Sequence, residues 1–408
     1  MGSSKARDSL ETETVEAPAR DDRQLLFTST HRELTATAPV KALTLPPCAG
    51  DRPDSPFQLA IRQALEGARR GGQANPIVVG AIPFDEHEPS CLYVPHRYEW
   101  RARDVPRRRA DTAKALPLLL EQRSLPDERG FKKAVEQAIV NFGFGDVRKA
   151  VLSVMRELHF SAPLDVDRLL EGLSAHNPDG YRFRIPLADG ADLIGISPEL
   201  LLGKEAERVV SNPLAGTARR LPSAALDREA AERLLQSPKD HYEHRLVVDD
   251  VLQALEPHCA ELTSPERPSL LSTTALWHLS TRIEGRLHDP DVTALQLACR
   301  LHPTPAVCGY PTQDARRLIS LIEPFERGLF TGMVGWCDMA GNGEWVVTIR
   351  CGTVKRDVVR LFAGAGIVEA SQPDAEWAEV QAKLGTMLQV CGVPAEERTL
   401  RVDTGVPS

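Results

Sequence analysis

The sequence predicts one large α+β domain in preference to a doubly wound parallel sheet. Helix and strand signals are interspersed along the 408 residues, whereas a parallel α/β sheet requires their regular alternation. Hydrophobic residues make up 42% of the chain and charged residues 26%, as in ordinary globular proteins. Neither an internal repeat nor a linker-like segment is visible after residue 50. These three observations favour a single folded unit over residues 51–394.

The first half of this unit is predicted to begin with a helix at residues 57–71, where apolar residues recur at helical spacing. A proline-bounded apolar run at 76–84 indicates a buried strand, with residues 92–94 as its partner. Helical spacing returns at 130–140. The short apolar run at 149–153 again indicates a strand.

The middle of the chain is predicted to hold a strand pair, 181–185 with 193–196, and a further strand around 209–210. A strong helix follows over residues 238–255. Ser237 is suited to cap its first turn, since proline follows directly and an acid, Asp240, stands three residues later.

The C-terminal part is predicted to be β structure followed by a helix. Residues 344–350 and 358–362 are interpreted as paired strands, with the turn near Arg356 and Asp357. Residues 371–374 have the spacing of a second capping box, which opens a helix that runs to about Val390.

The two ends of the chain are expected to lie outside the folded unit. Residues 1–50 are expected to be largely disordered or weakly ordered, because the first 23 offer almost nothing to bury. Residues 395–408 are expected to form a C-terminal tail.

Composition excludes several classes of protein. A net charge of −8 gives no basic footprint for nucleic acid, so an anionic substrate would need a local cationic site or a metal ion. No apolar run approaches the roughly 18 residues of a membrane span, and the N-terminus lacks the apolar core of a secretory signal. The 8 cysteines form no C-x-x-C pair. We therefore expect a cytoplasmic protein with reduced thiols and without nucleic-acid or membrane partners.

The helix after Ser237 carries a first candidate site. Glu243 lies four and eight residues before Val247 and Val251, so it falls on or beside their apolar stripe. A carboxylate facing inward needs a partner. That partner is either a metal ion or a nearby lysine or arginine. For Asp240, the alternative is simply to complete the helix cap.

The last helix carries a second set of acids. Glu376, Glu379 and Lys383 share one face, beside the apolar residues Val380 and Leu384. An ordinary solvated charged stripe is the alternative interpretation. If the acids of both helices converge, they repel one another unless a cation lies between them. Oxygen-only ligands suit Mg²⁺.

Other candidate residues lie at strand ends. Gly216 and Thr217 could let backbone N–H groups approach an anion, and Arg350 ends an apolar strand and needs an anionic partner. Lys149 starts another apolar strand, and Glu199 follows a Ser-Pro pair. A lysine among apolar residues can act as a base and a half-buried glutamate as an acid. Snorkelling for Lys149 and a turn position for Glu199 remain the alternatives.

Seven segments in order resemble motifs of the chorismate-utilising enzymes: isochorismate, salicylate, anthranilate and aminodeoxychorismate synthases. Together they extend over roughly residues 55–393, and they are most similar to the isochorismate synthases of siderophore pathways. The segments are 196–201, 213–220, 239–244, 276–280, 301–309, 345–351 and 364–368. One departure is Val154, where relatives usually carry arginine.

The resemblance implies two large, mostly antiparallel β-sheets packed together with helices on the outside, and a chorismate-binding catalytic domain at 51–394. It implies that Lys149 activates water for attack at C2 of chorismate and that Glu199 protonates the departing C4 hydroxyl. Mg²⁺ is implied as cofactor, holding the ring carboxylate. The implied metal ligands are Glu243 and Glu379, with Asp240 and Glu376 in supporting positions. The implied substrate contacts are Gly216, Thr217, His278, Ala306, Arg350, Gly366 and Lys383.

The resemblance also separates the relatives by reaction. Ammonia-using members carry glutamine where this chain has Lys149, so no glutamine amidotransferase partner is expected. Salicylate synthases tend to carry threonine and tyrosine at the positions of Ala306 and Phe330, so the apolar set Ala306, Val307 and Phe330 favours stopping at isochorismate. A salicylate synthase and a catalytically silent chorismate-binding protein are the alternatives. Chorismate is the expected partner, and downstream pathway enzymes are candidates.

Overall fold

The computed structural model describes residues 23–37, 41–103 and 116–394. Within them the α-helices are α1 (Pro56–Arg70), α2 (Glu128–Phe142), α3 (Val166–His176), α4 (Ala224–Gln236), α5 (Pro238–Leu255), α6 (Ala294–Leu301), α7 (Thr312–Ile322) and α8 (Pro373–Val390). The β-strands are β1 (Gln24–Thr28), β2 (Arg32–Thr37), β3 (Lys41–Leu43), β4 (Ile77–Ile82), β5 (Cys91–Val94), β6 (Tyr98–Ala102), β7 (Leu119–Leu125), β8 (Lys149–Phe160), β9 (Tyr181–Pro186), β10 (Asp192–Ser197), β11 (Leu200–Glu205), β12 (Arg208–Asn212), β13 (Leu214–Arg219), β14 (Cys259–Thr263), β15 (Ser269–Ser272), β16 (Leu276–Ser280), β17 (Ile283–Leu287), β18 (Gly309–Tyr310), β19 (Met333–Asp338), β20 (Gly343–Val347), β21 (Cys351–Lys355) and β22 (Val358–Ile367).

Two large sheets form the centre of the molecule. The first has ten strands in the order β18-β8-β22-β21-β10-β9-β1-β2-β6, with β7 paired to β8. The second has nine strands in the order β14-β17-β12-β11-β20-β19-β4-β5-β3, and a small third sheet has the order β13-β16-β15. The pairings among the described strands are antiparallel. The predicted α+β fold is therefore confirmed.

The sheets pack face to face and the helices cover their outer faces. Phe27 and Phe183 of the first sheet lie in one buried cluster with Val79, Val334 and Val346 of the second. A second cluster joins the outer face of the ten-stranded sheet to α2, α3, α7 and α8, and a third joins the nine-stranded sheet to α1, α5 and α6. Burying apolar area on both faces of each sheet is the main stabilising contribution of this arrangement.

The two helices that matter most for the site begin differently. The side chain of Ser237 accepts a hydrogen bond from the backbone N–H of Asp240 and caps α5, whose bounds match the prediction. α8 ends at Val390 as predicted, but Gln372 is its N-cap and makes no side-chain capping bond. The predicted capping box at 371–374 is wrong, because the Ser371 hydroxyl accepts from Val368 N–H instead.

The predicted pairing of residues 344–350 with 358–362 is also wrong. β20 lies in the nine-stranded sheet between β11 and β19, whereas β22 pairs with β21 and β8 in the ten-stranded sheet. The turn at Arg356 and Asp357 is correct, but it joins β21 to β22. Between β20 and β21 the chain crosses from one sheet to the other, and Arg350 lies in this crossing with φ +50°. β20 is buried over nearly its whole length, so its pattern does not indicate which sheet it joins.

The expectation of weak order up to residue 50 is wrong for β1, β2 and β3. β1 and β2 belong to the ten-stranded sheet and β3 to the nine-stranded sheet. Phe27 and Leu34 are fully buried. A strand needs only alternate apolar residues to join a sheet, because its neighbours provide the backbone partners. Residues 1–22 and 395–408 lie outside the described residues. In the described part of the chain, none of the helices is long and apolar enough to cross a membrane.

Candidate active site

A cavity of about 620 Å³, including the space at its opening, lies where β8, β13, β16 and β22 meet the chain crossing after β20, beside α5 and α8. The predicted site residues that line it are Glu199, Gly216, Thr217, Glu243, His278, Ala306, Arg350, Gly366, Glu379 and Lys383. Lys149, Asp240 and Glu376 lie behind this lining.

Glu199, in the connection between β10 and β11, is a buried acid in the cavity wall. Its Oε1 accepts a hydrogen bond from Leu214 N–H at 3.3 Å. Burial raises the pKa of Glu199 to about 7, although this bond and the charges of Arg350 and Lys149 act in the opposite direction. Near neutral pH a large fraction of Glu199 therefore holds a proton that it can donate.

Lys149 is the first residue of β8 and its side chain is fully buried. Its Nζ lies 3.0 Å from Oε1 of Glu243. Among the described residues Nζ has no well-directed hydrogen bond. Gly366 lies directly against this pair: a Cβ there would clash with Oε1 of Glu243 and lie 3.0 Å from Cε of Lys149. Only glycine lets β22 approach the two side chains so closely.

Three glutamates of α5 and α8 each lie against a lysine. Besides the Lys149–Glu243 pair, Nζ of Lys383 lies 2.6 Å from Oε1 of Glu379, and Nζ of Lys239 lies 2.6 Å from Oε1 of Glu376. The sequence left either a metal ion or a basic side chain as the partner of Glu243. In this structure the partner is a basic side chain, Lys149.

The electrostatics show that these acids also act on one another. Burial opposes ionisation of Glu243, but the charge of Lys149 lowers its pKa below the usual value. Burial and the charge of Glu379 raise the pKa of Glu376 to about 7, which Lys239 only partly offsets. Burial and the charges of Glu243 and Glu379 likewise raise the pKa of Asp240. The acids of the two helices therefore form one repelling cluster, held together by lysine ammonium groups.

The donor set of this cluster fits Mg²⁺ by type, because it consists of carboxylate oxygens near a site for an anion. Within the residues that the structure describes, no three acid, histidine or cysteine side chains stand in a coordinating arrangement. The oxygens of Glu243 and Glu379 that would bind the ion contact lysine Nζ atoms instead. Glu243 and Glu379 line the cavity, whereas Asp240 and Glu376 do not.

The cavity wall also presents a cation. Nη2 of Arg350 donates to Nε2 of His278 at 3.3 Å, which leaves His278 Nδ1 to donate to the Thr217 hydroxyl at 3.1 Å. Burial and the charge of Arg350 hold the pKa of His278 well below its usual value, so the ring is neutral. Burial lowers the pKa of Arg350 only to about 10, so the guanidinium stays charged. This side is suited to a carboxylate ligand.

Sequence reasoning missed some of the lining. Val151, Thr331 and Phe362 also face the cavity, and Phe362 stacks on Phe330 with ring centroids 5.1 Å apart. Thr331 has φ +59°, a conformation that is rare for a β-branched residue. The period-2 pattern of β8 and β22 could have indicated Val151 and Phe362, but nothing local marks Thr331.

Residues 94–392 match the family described as chorismate binding enzyme. The chain belongs to the chorismate-binding enzyme family. Every predicted site residue falls inside the matched region, which connects the cavity to the family's shared fold.

Within the chorismate-binding enzymes, isochorismate synthases are among the proteins that this chain resembles over most of its length. Isochorismate synthase EntC of Escherichia coli (strain K12) is 45% identical over 96% of this chain and 100% of its own length. The vibriobactin-specific isochorismate synthase of Vibrio cholerae is 40% identical over 81% of this chain and 83% of its own. The solved structure of the DhbC protein from Bacillus anthracis has a TM-score of 0.84 at 40% identity, covering 91% and 97% of the two chains.

Proposed function

We propose that this protein isomerises chorismate to isochorismate in a reaction that requires Mg²⁺. The observation that carries the proposal is one cavity whose wall holds a buried proton donor, Glu199, and a cation, Arg350. A buried amine, Lys149, lies directly behind its lining residues Glu243 and Gly366. Near full-length similarity to an isochorismate synthase supports the choice of substrate.

The chemistry needs proton transfer on two sides of the ring. Water adds at C2 as the C4 hydroxyl leaves, and the ring double bonds shift between these positions. Lys149 acts in its neutral amine form: it takes the proton that water loses, while Glu199 gives a proton to the departing hydroxyl, so one water enters and one leaves. Water is a poor nucleophile and hydroxide a poor leaving group, so both transfers contribute to the rate. In the reverse direction the two residues exchange roles.

Binding and charge are divided between the two sides of the cavity. Arg350, fixed by neutral His278, would hold one carboxylate of chorismate. Glu243 and Glu379 would hold Mg²⁺, with Asp240 and Glu376 behind them. The ion would supply positive charge to the ring carboxylate and offset the repulsion among the acids.

The test is incubation of the purified protein with chorismate and Mg²⁺, with products separated by chromatography and pyruvate assayed separately. We expect isochorismate with little salicylate and no stoichiometric pyruvate. Stoichiometric pyruvate would identify a salicylate synthase instead. No conversion at all would leave the catalytically silent alternative.

We also propose that the product enters siderophore synthesis. The motif resemblance and the vibriobactin-specific relative support this role. Deleting the gene should abolish secretion of the siderophore in iron-poor medium, and added isochorismate should restore it. A siderophore-competent deletion strain would contradict this assignment.

A further inference from the structure

Arg327, in the segment that follows α7, has a guanidinium whose N–H groups are all used. Nε and Nη2 donate to the two carboxylate oxygens of Glu323 at 2.8 and 2.6 Å. Nη2 also donates to the carbonyl of Val151 at 2.7 Å, and Nη1 donates to the carbonyl of Val307 at 2.8 Å and to the Thr331 hydroxyl at 3.2 Å. Both charged side chains are buried, so these bonds are shielded from water.

Three of these acceptors belong to the cavity wall. Val151, Val307 and Thr331 all line the cavity, whereas Arg327 and Glu323 do not. The three residues come from different segments: β8, the loop before β18, and the loop before β19. Glu323 adds a fourth connection, because its Oε1 accepts from the backbone N–H of Ser153 at 2.7 Å. One ion pair thus fixes the relative positions of three pieces of wall.

The wall held in this way includes a residue in a strained conformation. Thr331 keeps φ at +59°, and its hydroxyl is bound by Arg327. A β-branched residue holds this conformation only when its surroundings determine it. Phe330 precedes it and stacks on Phe362, so the position of Thr331 also sets the aromatic surface of the cavity.

We propose that Arg327, oriented by Glu323, is a positioning residue that fixes this wall and thereby confines the enzyme to hydroxyl transfer. The inference rests on the proposed function. The reaction to be avoided is elimination from isochorismate: the C3–O bond to the side chain breaks, and the hydrogen on C2 moves to the side-chain methylene carbon. Salicylate and pyruvate result, with no added reactant. A fixed wall prevents the side chain from folding over C2.

The test compares Arg327→Lys with a matched control, Arg184→Lys. Lysine keeps the positive charge but has fewer N–H donors and lacks the planar guanidinium group. Buried acceptors of the wall therefore lose their hydrogen bonds. Arg184 forms a similar bidentate pair with buried Asp192, and it does not line the cavity. Both variants should lower the melting temperature. Only Arg327→Lys should lower kcat/KM, by about tenfold or more, and release pyruvate, because misplacement of a wall reduces productive alignment.

Thr331→Val keeps the side-chain shape but removes the hydroxyl acceptor, so it tests the same wall if Arg327→Lys does not fold. It should shift kcat/KM and pyruvate release in the same direction by a smaller factor, and Thr331→Ser should restore both. If the folded variants keep the wild-type kcat/KM and release no pyruvate, Arg327 is only structural and the proposal is wrong. A wild-type protein that makes no isochorismate would instead overturn the proposed function.

Discussion

The two sides of the cavity bury charge in different ways. On the helix side, Glu243, Glu376 and Glu379 each lie against a lysine. On the sheet side, burial raises the pKa of Glu199 to about 7, so that both of its protonation states are populated near neutral pH. Arg350 donates to a neutral histidine rather than to a carboxylate. The helix side therefore pairs each of these acids with a lysine, whereas the sheet side offers a proton donor and a cation that can receive an anion. Each of the following predictions tests this division.

Metal removal should have the largest effect, because it acts on the whole helix side. EDTA should abolish turnover and added Mg²⁺ should restore it. Glu243→Gln and Glu379→Gln should each weaken Mg²⁺ binding by at least about tenfold, measured by calorimetry as well as by activity. As a control, Glu157→Gln removes an acid that pairs with Arg360 away from the cavity. This substitution should change neither Mg²⁺ binding nor activity. Full activity in metal-free buffer would contradict the assignment.

Substitution of the acid and base should come next. Glu199→Gln and Lys149→Ala should each lower kcat by at least about 10²-fold, since each removes one proton transfer. Glu199→Gln should leave Mg²⁺ affinity close to that of the wild type, unlike Glu243→Gln. Each variant should slow both directions by the same factor and leave the equilibrium unchanged. Near-normal turnover of Lys149→Ala would require a different base.

Arg350→Lys should have a smaller effect that appears mainly in KM. A charge-assisted bond contributes about 1.5–3 kcal/mol, so loss of the bidentate contact should raise KM for chorismate by about ten- to a hundredfold. Arg182→Lys, which alters a pair with Glu33 away from the cavity, is the control. If KM is unchanged and only kcat falls, Arg350 does not bind the ground-state carboxylate.

Periodicity and strong local signals were enough to predict part of this site. The spacing of Glu243 from Val247 and Val251 placed the acid on the buried face of α5, and the structure confirms that position. The charged face of α8 was found in the same way. These predictions succeeded because a helix fixes the direction of each side chain from spacing alone.

The contacts between distant segments could not be predicted from local patterns. The Lys149–Glu243 pair joins β8 to α5, and no periodicity relates the two residues. Arg327 binds backbone carbonyls of Val151 and Val307, and a carbonyl is present at every residue, so it leaves no mark in the sequence. The sequence also did not indicate which sheet β20 joins, because both faces of this strand are buried.

The smallest effect at neutral pH, and the sharpest test of the sheet side, is the pH dependence due to Glu199. Its pKa in the folded protein is about 7 because burial disfavours the carboxylate, against a usual value of 4.5. The forward reaction needs the protonated form, so kcat/KM should fall as pH rises through about 7, approaching tenfold per pH unit above it. In the Glu199→Gln variant, kcat/KM should not show this fall with rising pH.

The same pKa predicts the stability of the protein. Between pH 4.5 and about 7 the folded state binds more protons at Glu199 than the unfolded state does, so the free energy of unfolding should fall as pH rises. Below 4.5 both states are protonated, and above about 7 both are ionised, so this contribution is constant outside the window. Denaturant unfolding of wild type and Glu199→Gln across this range isolates it, since glutamine does not titrate. Equal pH dependence in the two proteins would show that Glu199 is ionised as readily in the cavity as in water, and the sheet side would then lack its proton donor.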